Sequence, residues 1–294
     1  MSTTTTPAQA PATSATRRPR TRRSPWFWAR LALAVVITLV MFFPLYWMIL
    51  TSFSPQSELY SAGLRWWPHH FTLDNYRDPI DLYPVWHWFW NSFVIATLTT
   101  LITVVCNLLA GYAFAKIRFR GRNPLFLLLL STMMIPVQAV MVPQFRVSVD
   151  LGLFGNIWAV ILPESAAVFG VFLARQFFVA IPDELLEAAR VDGAGHVRAF
   201  VQIVLPLCKP LVAVLVLLTF SSEWNSFAWP LVALFSNNEL FTLPLGIVTD
   251  LQGQYSSNYG AIMAISLLMT LPMIVLFVAF QRYFVQGLAR SGIK

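Results

Sequence analysis

Only 11% of this 294-residue chain is charged, and eight of its acidic and basic side chains fall in one stretch, Pro182 to Pro210. That stretch reads PDELLEAARVDGAGHVRAFVQIVLPLCKP and carries Asp183, Glu184, Glu187, Arg190, Asp192, His196, Arg198 and Lys209 between two long apolar runs. The chemistry on offer is ionic contact and close approach. Pro182, Asp183 and Glu184 suit a helix N-terminus, where proline loses no useful donor and negative charge meets the positive dipole end. Leu185, Ala188 and Ala189 then share one face, with Asp183, Glu187 and Arg190 roughly opposite. Asp192-Gly193 reads as a stop, because glycine takes the left-handed conformation that ends helices. A second helical stretch over about 196–204 leads to Leu205-Pro206, giving a compact knob with small residues on its surface. An amphipathic helix lying on the bilayer would want a wide apolar face flanked by Lys and Arg. Two alanines and mainly acids are a poor fit to that alternative.

The remaining candidates are weaker. Glu223, Trp224 and Asn225 sit in the polar cluster SSEWNS near the end of an apolar run. Ionisable groups at membrane depth tend to face a bundle interior or a wet cavity, so these three are expected to line a pathway; exposure at the outer interface is the competing reading. Trp66, Trp67, Tyr76, Tyr83, Trp86 and Trp88 crowd one segment, 53–88. They suit an interfacial aromatic belt or, less simply, a sugar-stacking or protein-docking surface. His69-His70 lacks a carboxylate or cysteine at ligand spacing, and Cys106 and Cys208 read as inert packing residues. No phosphate loop of the G-x-x-x-x-G-K-[ST] type is present, so any energy source must lie on a partner or in an ion gradient. Neither a cofactor nor a metal is called for.

The elements that must hold these residues are membrane helices. At 57% hydrophobic residues, 15% aromatic and a mean hydropathy of +0.64, the chain is too apolar for an ordinary soluble domain. A span needs about 20 mostly apolar residues. Six runs qualify, at about 26–52, 89–114, 124–145, 156–180, 205–230 and 261–284, with kinks expected at Pro136 and Pro143. Alternate loops divide the lysines and arginines seventeen to three. Cytoplasmic loops carry such an excess, which puts both termini and the charged segment inside and makes the net charge of +7 an orientation signal, with no nucleic-acid partner implied. Residues 1–25, rich in Thr, Ala, Pro and Arg, are expected to form a disordered cytoplasmic tail ahead of a transmembrane domain, 26–294. The first apolar run is too long for the core of an export signal and is expected to remain as a span.

Glu187-Ala188-Ala189, three residues, Gly193, nine residues, Ile203, one residue and Leu205-Pro206 reproduce EAA-x3-G-x9-I-x-LP at all seven fixed positions. This resembles the cytoplasmic signature of the permease subunits of ATP-binding-cassette (ABC) importers. The likeness extends over roughly 27–294 and favours the carbohydrate-uptake, MalG-like branch, through MIPVQAVMVPQF (134–145), LGLFGNIWAVILP (151–163), EWNSFAWPLVAL (223–234), ELFTLPLGI (239–247) and QRYFVQGLARSGIK (281–294). The resemblance implies an all-α membrane protein of the type I importer permease fold, with six transmembrane helices and a coupling helix in the loop between spans 4 and 5. It implies that Glu187, Ala188, Ala189, Asp192, Gly193, Ile203, Leu205 and Pro206 form the ATPase-coupling element. The implied partners are a second, MalF-like permease, an ABC ATPase dimer and an extracytoplasmic sugar-binding protein, with a sugar as substrate and lipid around the spans. Catalysis would then belong to the ATPase, and this chain would be no enzyme.

Two other functions compete. An ion-coupled secondary transporter usually shows inverted repeats and ionisable residues near the midplane, yet no repeat is visible and the runs are almost free of charge at their centres. A membrane scaffold would not require the full seven-position pattern.

Overall fold

A computed structural model describes residues 25–60, 66–252 and 258–291, with side chains to Tyr283; the Arg-rich tail and the chemistry of the C-terminal segment lie outside it. The described residues form helices and no strand. The chain divides into two units, residues 1–47 and 48–294. The first holds most of α1 (Pro25–Ser52), an apolar helix with Pro44 inside it. The second continues with α2 (Gln56–Leu59), α3 (Asp74–Leu82), α4 (Val85–Lys116), α5 (Arg122–Ser131), α6 (Val137–Asp150), α7 (Trp158–Glu164) and α8 (Val168–Val179). There follow α9 (Asp183–Val191), α10 (His196–Ala199), α11 (Leu205–Leu207), α12 (Lys209–Trp224), α13 (Ala228–Leu234), α14 (Leu243–Gly246) and α15 (Tyr259–Ser291).

Among the described residues, four stretches are long and apolar enough to cross a bilayer: Pro25–Ser52, Val85–Lys116, Trp158–Val179 and Tyr259–Tyr283. Two further pairs qualify only as bent units, 122–134 with 137–150 at 103° and 196–207 with 209–224 at 80°. The count is therefore four, or six if each bent pair makes one crossing. The run 124–145, expected as a single kinked span, turns far more sharply than a kink. Ile135 precedes Pro136 and takes an extended conformation (φ −84°, ψ 119°) because the proline ring bars the helical one. Pro143, by contrast, is carried inside α6. The run 205–230 is also divided, at Cys208 between Pro206 and Pro210 and again at 225–227 before α13.

Lipid tails are as apolar as leucine, so packing and internal hydrogen bonds must hold such a bundle. The closest contact is between α4 and α8. A Cβ built on Gly111 of α4 would lie 2.5 Å from Ala174 Cβ, and one on Gly170 of α8 would fall inside the Asn107 amide. A second contact repairs a proline. Pro163 has no N–H for the Ala159 carbonyl four residues back, and the buried Trp229 indole donates to that oxygen at 3.0 Å. Buried hydrogen bonds also hold the described parts of segment 53–88. Buried Asn75 donates to the Ser52 and Ser54 carbonyls, and Glu58 accepts from the His69 and His70 amides. Trp88 is buried in the core, whereas Trp66, Trp67 and Trp86 are exposed.

Gly111→Val should therefore lower stability by about 1–3 kcal/mol through overpacking, read as a fall in the thermal unfolding midpoint of purified protein. Gly195→Ala should change it by no more than about 0.5 kcal/mol, because Gly195 has φ −70° and open space around its Cβ position.

Candidate docking segment and pathway residues

The charged segment folds much as its spelling dictates. Pro182 is extended (φ −57°, ψ 136°), and α9 begins at Asp183. At the far end the Ala194 amide bonds the Ala189 carbonyl at 2.8 Å, and the Gly193 amide bonds Arg190 at 3.0 Å. With Gly193 at φ +80° this is a Schellman cap, a conformation that costs other residues more. Past Gly195, α10 runs into a π-helical turn over Phe200–Val204 and then α11. Pro206 supplies no donor to Gln202; the turn widens, and the Leu205 amide reaches Phe200 instead.

The two alanines of the motif part company. Ala189, with Leu186, turns inward to the core, while Glu184, Leu185, Ala188 and Val191 stay exposed. The single face expected for Leu185, Ala188 and Ala189 is thus corrected: Leu186, in the same run, marks the buried side. Glu187 flanks a cleft, Asp192 and Pro206 are exposed, and Ile203 and Leu205 are half-buried against the core.

What positions α9 lies far away in sequence. Lys116, the last residue of α4, donates to the Ile181 carbonyl at 2.6 Å and to the Asp183 carboxylate. That hydrogen bond, reinforced by the charge of Lys116 and more weakly by Arg118 and Arg190, holds the Asp183 carboxyl below its usual 3.8. Nearby cations also close the end of α4, where backbone carbonyls lack partners. Arg175 donates to the Phe114 carbonyl at 3.3 Å and sits 4.3 Å from the Phe126 ring centre. Behind them Tyr112, Phe178 and Phe200 form a three-ring cluster, with Tyr112 and Phe200 4.9 Å apart. Span and knob are joined by rings on one side and an ion pair on the other.

The second group of candidates does not assemble. Trp224 is fully buried, stacks on Phe220 and donates to the Met269 carbonyl at 2.9 Å, so it is a core residue. Asn225 is exposed and bonds Ser221 within its own helix end. Glu223 is buried at 9% exposure, and its Oε2 has no hydrogen-bond partner among the described residues. It lies within Coulombic reach of Glu164, at the end of α7. Sequence reading missed Glu164, because an acid 59 positions away leaves no local pattern.

Lys116→Ala should loosen α9 without unfolding the core: amide hydrogen exchange should rise over 183–191 and stay unchanged in α12. The tie should also be pH-dependent. A depressed carboxyl contributes stability above its unfolded value and loses it as pH falls through the folded one. Wild-type protection over 183–191, measured against the intrinsic exchange rate at each pH, should therefore hold steady down to about pH 4 and fall only in stronger acid.

Residues 107–290 match the family described as "Binding-protein-dependent transport system inner membrane component". An arabinooligosaccharide transport system permease protein, AraQ, of Halalkalibacterium halodurans is 40% identical over 88% of this chain and 93% of its own. The AraQ of Bacillus subtilis is 36% identical over 93% and 99%. A lactose transport system permease, LacG, of Rhizobium radiobacter is 34% identical over 85% and 90%. A chain of a bacterial ABC transporter involved in importing the acidic polysaccharide alginate superposes with a TM-score of 0.76, at 24% identity over 88% of this chain and 96% of that one, which bears on the fold. The seven-position motif, the helical cap that it builds and these matches agree, and the chain belongs to the family of inner membrane components of binding-protein-dependent transport systems.

Proposed function

We propose that this chain is one of two permease subunits of an ABC importer that carries a mono- or oligosaccharide, or a derivative, across a prokaryotic cytoplasmic membrane. The observation that carries the reading is α9. An exposed helix of small and acidic residues, stopped by Gly193, is tied to the end of a 32-residue apolar helix by Lys116. A partner that pushes on α9 pushes on α4. An ATPase dimer is the partner that the motif calls for, with Glu187 pairing to a basic residue and Ala188, Asp192 and Gly193 allowing close fit. Ala189, Ile203, Leu205 and Pro206 shape the knob from within. The names of the relatives support a sugar substrate, delivered by an external binding protein. A groove of about 740 Å³ lined by Phe93, Leu101, Val105, Val216 and Leu276 on α4, α12 and α15 supports a second permease against this face. In this reading the chain makes six crossings with both termini inside, residues 1–25 form a cytoplasmic tail, and ATP hydrolysis belongs to the partner.

Glu223 is the proposed pathway residue, with Glu164 beside it in place of Trp224 and Asn225. A buried acid within Coulombic reach of a second, half-buried one also favours a second reading, an ion-coupled transporter. Proteoliposomes separate the two. Sugar uptake that needs ATP, the partner subunits and the binding protein supports the importer; uptake by the lone chain on a proton or sodium gradient overturns it.

Coupling is tested in the same vesicles. Glu187→Ala should weaken ATPase retention by about 1–3 kcal/mol, the cost of leaving a partner charge unpaired. Gly193→Val should do more, since a β-branched residue resists φ +80°. Wild-type co-purification and stimulated hydrolysis in Gly193→Val would assign α9 to the membrane surface.

Sidedness is a separate measurement. Cysteines at Ser57 and Asn238 should react with an impermeant thiol reagent in intact cells, and one at Ala194 should not; labelling at Ala194 reverses the orientation.

A further inference from the structure

Between the foot of α4 and the flank of α9 lies a hollow of about 450 Å³. Its walls carry Lys116, Arg118, Arg122 and Arg190 against Asp183 and Glu187, so cations exceed carboxylates by two before His196 is counted. Lys116 already satisfies Asp183. Among the described residues Arg122 has only long contacts of 3.5 Å to the Ala115 and Ile117 carbonyls. Three guanidinium groups, of Arg118, Arg122 and Arg190, are thus left to share the single carboxylate of Glu187. Guanidinium forks match the paired oxygens of a phosphate, and a hollow with this charge excess is the place for one.

The source of the phosphate follows from the surroundings. Arg118 and Arg122 also line an adjoining hollow of about 310 Å³ that contains Phe119 and Pro124, so an apolar shelf lies beside the cationic one. The chain then enters α5, where Leu125, Leu127 and Leu128 are 49%, 64% and 64% exposed. A ligand with an anionic head and a hydrocarbon body fits that sequence of surfaces; a soluble anion uses only the first part. The exposed face of α9, Glu184, Ala188 and Val191, points about a third of a turn away from the hollow. Of the residues assigned to the docking partner, Glu187 alone lines the hollow, so partner and headgroup meet only at that side chain.

We propose that this hollow binds the phosphate of an anionic phospholipid headgroup, held by Arg118 and Arg122 from the 117–122 loop and by Arg190 from α9. The proposal rests on the cytoplasmic placement inferred above, since basic hollows between spans on that side meet anionic lipid. A bound headgroup would bridge the loop to the docking helix, adding a lipid-dependent contact beside the Lys116 tie.

The complete transporter complex is placed in nanodiscs of phosphatidylcholine with a minor fraction of phosphatidylglycerol, extracted mildly, and its retained lipid measured by mass spectrometry. Wild type should retain phosphatidylglycerol above its share of the bilayer. Arg118→Gln and Arg122→Gln should each lower that retention about tenfold or more, the loss of a charge-assisted hydrogen bond to the headgroup. Arg120→Gln removes the same charge from the same loop but outside the hollow, and should leave retention unchanged. A photoactivatable phosphatidylglycerol should label peptides 117–122 and 186–190 in wild type, which needs no variant to fold. Equal loss in Arg120→Gln would reduce the effect to diffuse attraction and overturn the site, as would full retention in the other two. Displacement of the lipid by millimolar inorganic phosphate would overturn the lipid source and assign a soluble anion. Thiol labelling at Ala194 reports sidedness independently, so failure of the site and failure of the orientation give different results.

Discussion

A backbone carbonyl that loses its donor inside a hydrocarbon layer finds no water to replace it. Much of this structure answers that constraint at prolines. At Ala159 a tryptophan from α13 stands in for the amide that Pro163 lacks. At Pro206 the helix widens into a π-turn. At Pro136 it breaks, and the chain turns by 103°. Each solution fixes a direction: the first ties α7 to α13, the second sets how the charged segment enters α12, and the third bends the 122–150 region. Proline is tolerated here because neighbours can meet its cost, and the neighbours are thereby held in place.

Helix α4, like α12, contributes to both large clusters of buried side chains. Its first half, with Trp88, Ile95 and Ala96, packs with Trp224, Trp229 and Leu245. Its second half, with Val104, Leu108 and Tyr112, packs with Phe178, Leu186 and Phe200 around the base of the charged segment. Gly111 and Gly170 let it approach α8 so closely that a side chain at either position would clash. Lys116 and the three rings join α9 to the same helix.

Local pattern carried the reading of α9 almost to the residue, because a proline, two acids and a glycine each act within one turn of their own position. It also located the bend at Pro136, but not the one at Cys208, and Pro143, the other expected kink, is carried inside α6. The angles were not legible, because whether a proline kinks or breaks a helix depends on what stands ready to receive the freed carbonyl. The pairs that complete the site, Lys116 with Asp183 and Glu223 with Glu164, join residues tens of positions apart and have no periodic signature. Trp224 misled for a related reason: a polar neighbourhood in sequence placed it with Glu223, while its own ring turned to Phe220 and Phe89.

The opposite facing of Ala188 and Ala189 bears on how this chain can diverge. Ala188 looks outward, so enlarging it changes only the fit to whatever sits on α9, and a reciprocal change across the contact can restore it. Ala189 looks inward toward Leu186 and the base of the bundle, and no alteration in another protein can make room there. Under the proposed docking, position 188 can follow a change of ATPase, while position 189 answers only to the chain's own core. Two identical neighbours in the motif are thus under different jurisdictions: one negotiated between proteins, the other settled within this one.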